Sequence, residues 1–105
     1  MSWAAVYLIL AIVLEVGGTT SMKLSMGFTR LVPSISIFVF YSLAFVFLTL
    51  SLKKLELSTA YAIWSGLGTF LVAMIGVYYF HEPMNAIKLA SLFLIIFGIV
   101  GLKVG

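Results

Sequence analysis

Apolar residues run almost without interruption in four stretches, each close to the roughly 20 residues with which a helix crosses a bilayer. They fall at about 3–22, 34–52, 58–80 and 86–104, separated by the links KLSMGFTRLVP, KKLEL and HEPMN. A soluble domain carries about 25% charged residues, whereas this chain of 105 residues is 9% charged and 64% hydrophobic. The expectation is an all-α integral membrane protein, one domain built as a four-transmembrane-helix bundle. Links this short make consecutive helices antiparallel neighbours and leave both termini on one side. A membrane barrel would need at least about eight strands of alternating polarity, and β-branched SISIFVF supplies neither the number nor the alternation. Residues 1 to 12 contain no Lys or Arg, and the first apolar run outlasts a signal-peptide core, so this span is expected to stay in the protein.

The sparse polar residues exclude several chemistries. Without cysteine there is no disulfide, thiolate metal site or thiol nucleophile, and His81 is the single histidine. Neither a metal site, a cofactor nor an enzyme is expected, since no nucleophile and base stand out as a pair. The net charge of +3 includes no basic cluster longer than two residues, which suits lipid headgroups better than nucleic acid. With four spans, Lys53, Lys54 and Lys103 share one side of the bilayer, and Lys23, Arg30 and Lys88 share the other. Orientation normally follows the side richer in Lys and Arg. Three against three gives no preference, so dual topology and an antiparallel homodimer are expected. The alternative is an orientation set by a partner.

One charge breaks the pattern. In AIVLEVGGTT, Glu15 lies about 4 Å from the middle of its span at 1.5 Å per residue. An ionised carboxylate there opposes insertion by about 2.5–3.5 kcal/mol, and its short side chain cannot easily reach the headgroups. Lys23 is two turns away, at the end of the span. Glu15 is then either a protonated acid in one interhelical hydrogen bond or a functional group that binds and releases protons. The helical repeat places Leu8, Ala11, Ile12, Gly18, Thr19 and Met22 on its face. Gly18 leaves room for a guest and Thr19 can hydrogen-bond the acid. Glu56 and Glu82 fall in links near lysines and are expected to be solvated.

The third span, through AYAIWSGLG, presents Tyr61, Trp64, Ser65 and Gly68 at steps of three and four residues, and Tyr41 stands in the middle of the second span. Aromatic faces around a carboxylate suit an organic cation, held by charge and by cation–π attraction. Trp3, Tyr7, Tyr78 and Tyr79 lie near span ends and fit the interfacial belt instead. Gly66 and Gly68 allow either a kink or a close helix contact. In the fourth span Ser91, Gly98 and Gly101 share a face with Ile87 and Leu94. That face serves either a dimer contact or packing inside one subunit.

Taken together, EVGGTTSMKLSMGFTRLVPS, Tyr41 and STAYAIWSGLG resemble the small multidrug resistance family of bacterial proton-coupled exporters over essentially the whole chain. The resemblance implies an antiparallel dimer in the bacterial inner (cytoplasmic) membrane. In it, two Glu15 carboxylates would bind either protons or a cationic substrate. The pocket it implies draws on Leu8, Ala11, Ile12, Gly18, Thr19, Tyr41, Tyr61 and Trp64. It also implies a kink at Gly66 and Gly68 and a dimer contact through the fourth helix. Gly18, three residues after the acid, is similar to the branch exporting quaternary ammonium and other lipophilic cations, whereas the guanidinium branch typically has tryptophan there. FHEPMNAIKLA, GIVGLKVG and Ser91 look more like guanidinium-branch or paired-subunit members. Export of guanidinium-type metabolites, or of polyamines by a heterodimer, is therefore the alternative. A scaffold without transport is a third reading, under which Glu15 would tolerate replacement.

Overall fold

The computed structural model describes residues 2–105. It contains four α-helices: α1 (Trp3–Leu24), α2 (Leu31–Ser51), α3 (Leu57–Tyr78) and α4 (Ala86–Val104). Each is long and apolar enough to cross a membrane. At 1.5 Å per residue, the 22 residues of α1 extend about 33 Å, close to the hydrocarbon thickness.

The helix limits depart from the apolar runs by up to three residues, for local reasons. α2 starts at Leu31 and takes Pro33 into its first turn, where a missing N–H removes no intrahelical bond. α1 continues through Lys23, whose ammonium suits the negative end of the helix. Ser2 Oγ caps α1 by accepting from the Ala5 N–H at 3.3 Å, and Asn85 Oδ1 caps α4 by accepting from the Lys88 N–H at 2.8 Å. Between α1 and α2 the chain turns through three left-handed residues, Met26, Gly27 and Phe28. Buried Ser25 anchors that turn, its Oγ accepting from the Phe28 N–H at 3.2 Å.

α1 packs against both α2 and α3, while α4 packs chiefly against α3. Leu8, Ile12 and Val16 form the centre of the core, with Ile63, Leu67, Val72 and Ile75 of α3 around them. The result is a flat body with Cα extents of 42 × 35 × 19 Å. Only Leu92 of α4 is buried, and Ile87, Leu94 and Phe97 stand open. Lipid carries no hydrophobic penalty for such a surface.

Hydroxyl groups inside the spans mostly close on their own helices. Thr20 donates to Val16 O at 2.8 Å, Thr49 to Phe45 O at 2.7 Å and Thr69 to Ser65 O at 2.7 Å. Ser91 donates to Ile87 O at 2.7 Å. These bonds satisfy the hydroxyls where no water is at hand.

Candidate functional site

Thr19 departs from that rule. Its Oγ1 donates to Glu15 Oε1, one turn back on α1, at 2.9 Å. The same hydroxyl makes a short contact with Tyr41 Oη of α2. A threonine has one proton to give. With that proton on Glu15, the Tyr41 O–H must donate to Thr19, which orders the chain Tyr41 to Thr19 to Glu15.

Glycines set the positions of both ends. A Cβ at position 18 would lie 3.0 Å from Cδ2 and Cε2 of Tyr41, and one at position 17 would lie 3.2 Å from the Phe40 ring. Gly17 and Gly18 of α1 therefore seat two consecutive rings of α2. The space beside Gly18 is filled by the protein's own Tyr41. On the other side, a Cβ at position 68 would lie 2.7 Å from Glu15 Oε2. Gly68 thus lets the carboxylate lie against the backbone of α3.

Glu15 Oε2 and Trp64 Nε1 are buried without a hydrogen-bond partner. A buried polar atom without a partner is destabilising by about 1–3 kcal/mol, and more when charged. Both residues border a cleft of about 400 Å³, along with Thr19, Ser65, Thr69 and Glu82. That volume lies within the range of small-ligand sites. Aromatic rings continue from it in series: Tyr61 to Trp64 at 5.6 Å, Trp64 to Phe45 at 6.1 Å and Phe45 to Tyr41 at 6.1 Å. A carboxylate oxygen lacking a partner, with rings beside it, can hold an organic cation through charge and ring faces. Among the described residues no group of His, Cys, Asp or Glu is arranged to hold a metal ion.

Glu15, Thr19 and Trp64 meet at this cleft, and Tyr41 backs it through Thr19. Tyr61 is more than half exposed and joins through its ring contact with Trp64. Leu8, Ala11 and Ile12 are buried; Leu8 and Ile12 belong to the α1–α3 core and none of the three borders the cleft. Gly66 faces α4, where a Cβ would overlap Ile99 Cδ1 and lie 3.1 Å from Ile95 Cγ2. Ser91, Gly98 and Gly101 lie on the open side of α4, with no atom within 4 Å of a Cβ at 98 or 101.

Thr69 and Glu82 border the cleft although sequence alone did not place them there. Glu82 is exposed, as a linker residue should be, but its carboxylate folds back over Gly76 of α3. A left-handed His81 turns the chain so that the Glu82 N–H reaches Gly76 O at 2.9 Å. Lys88, the cation near it in sequence, donates instead to Pro83 O at 2.9 Å. Gly76, six residues before Glu82, is the trace of this arrangement in the sequence.

The chain is similar to known proteins over most of its length. The model of the Small Multidrug Resistance protein family matches residues 1–95. YvaE, an uncharacterized membrane protein of Bacillus subtilis, is 48% identical over 103 residues, covering 98% of this chain and 85% of its own. The multidrug resistance protein EbrB of the same organism is 47% identical over 97 residues, 92% of this chain and 83% of EbrB. The quaternary ammonium compound-resistance protein QacC of Staphylococcus aureus is 37% identical over 99 residues, 94% of this chain and 92% of QacC.

Proposed function

The chain belongs to the Small Multidrug Resistance family, and on that premise we propose that it exports organic cations from a bacterial cell in exchange for protons. Its place would be the cytoplasmic membrane. The observation that carries the reading is Glu15 Oε2, buried without a partner in a cleft that the Trp64 side chain also borders. An ionised Glu15 holds the cation there, and a proton on the same carboxylate removes the charge that held it. Competition for one carboxylate then couples proton entry to cation exit. The Tyr41–Thr19 hydroxyl chain serves both states. It donates toward the carboxylate and reverses when the protonated acid donates to Thr19.

Similarity to relatives named for quaternary ammonium compounds and multidrug resistance supports lipophilic and quaternary ammonium cations as the cargo. Trp64, Tyr61 and Tyr41 supply ring faces to such a cation, and Leu8, Ala11 and Ile12 hold α1 so that Glu15 meets α3. The working form is an antiparallel dimer of two oppositely inserted copies, which would bring two Glu15 carboxylates to a shared site. The balanced lysine and arginine count and the open α4 face at Ser91, Gly98 and Gly101 support it. Bending near Gly66 and Gly68 would exchange the inward- and outward-open forms. In two identical copies these forms have equal intrinsic energy, so ligands and gradients set their populations.

The test is cation flux in proteoliposomes under a pH gradient. The parent is expected to concentrate a tetraalkylammonium ion against it and to carry guanidinium less well. Glu15→Gln is expected to lose all coupled flux, and coupled flux persisting in that variant would sink the assignment.

A further inference from the structure

Glu82 borders three clefts at once, and their charges differ. One contains Lys23 in its wall and measures about 360 Å³; a second, of about 280 Å³, contains Lys88. The third is the cleft of about 400 Å³ that contains Glu15. A cation beside the Glu82 carboxylate meets an ammonium in two directions and a second carboxylate in the third. Gly76 makes the position possible, since a Cβ there would overlap Glu82 Oε1 and lie 3.0 Å from Cδ. The backbone bond from the Glu82 N–H to Gly76 O fixes the residue in that register. At the inner end of the same cleft, Glu15 Oε2 is the buried acceptor that lacks a partner.

We propose that Glu82 is an outer subsite for organic cations, from which the cargo passes along the shared cleft to Glu15. This rests on the exporter reading in taking an organic cation as the ligand. Glu82 is exposed, so it holds the cation weakly and in water, whereas Glu15 holds it without water. The outer carboxylate therefore raises the rate of arrival more than the final affinity. Its field is screened by salt, whose Debye length falls from about 30 Å at 0.01 M to about 8 Å at 0.15 M.

The test uses tetraphenylphosphonium and the full-length protein reconstituted in lipid. Glu82→Gln is expected to slow association about 3-fold or more at low salt, with the difference shrinking at physiological salt. Glu15→Gln is expected to retain weak, salt-sensitive binding that Glu15→Gln/Glu82→Gln lacks. Gly76→Ala keeps the charge but displaces it from the clefts, and is expected to slow association as Glu82→Gln does. The subsite is overturned if Glu15→Gln and the double variant bind alike and Glu82→Gln associates at the parent rate. Coupled flux surviving in Glu15→Gln would instead defeat the exporter assignment, and the binding comparison would still decide Glu82.

Discussion

Two glycines of α3, only two residues apart, do opposite things. Two residues turn a helix by about 200°, so Gly66 and Gly68 look out from opposite sides. Gly68 admits a carboxylate from α1, and Gly66 admits the apolar Ile95 and Ile99 from α4. The absence of a side chain makes a polar site in one direction and a dry contact in the other.

Substitutions at the two positions separate these roles. Gly68→Ala places a methyl 2.7 Å from Glu15 Oε2, and the flexible carboxylate gives way before the backbone does. Cation affinity is expected to fall about 30-fold, equivalent to about 2 kcal/mol, with helical content unchanged by circular dichroism. A Gly68→Ala protein that binds at parent strength would break the contrast. Gly66→Val should act on the fold instead. Crowding Ile95 and Ile99 is expected to lower the stability of the α3–α4 contact by about 1.5 kcal/mol, measured by denaturant titration in detergent micelles. Cation affinity per folded molecule should change little. Thr19→Val sharpens the polar side with the smallest effect. It removes a donor from Glu15 and an acceptor from Tyr41, and cation affinity is expected to fall about 5-fold by equilibrium binding.

The spans and the place of Glu15 inside the first of them were legible because charge is rare here: a carboxylate among uncharged residues cannot be mistaken for a solvated face. Thr19 followed from helical spacing relative to that acid, and Trp64 from its spacing with Tyr61, Ser65 and Gly68. Leu8 and Ile12 show where spacing stops being informative. In a chain this apolar, a face toward a neighbouring helix and a face toward a cavity have the same periodicity. Only packing distinguishes them, and here it assigns both residues to the core. Gly18 is similar, since an absent side chain does not say what fills the gap, and the ring of Tyr41 does. Glu82 was illegible for a different reason. Its place depends on the left-handed turn at His81, a conformation that histidine adopts more readily than most residues but does not require.

The hydroxyl bonds carry a mechanical consequence. Serines and threonines that close on their own helices leave the interhelical surfaces with almost nothing polar to break when one helix slides past another. Among the described residues, the side-chain hydrogen bond between helices is that of Tyr41 to Thr19, with Met22 Sδ 3.9 Å from the same tyrosine hydroxyl, and all three residues belong to α1 and α2. The molecule is thus a greased assembly with a single latch, and the latch lies beside Glu15. Relative movement of α1–α2 and α3–α4 meets friction from shape alone, along a fault line that runs through the cleft.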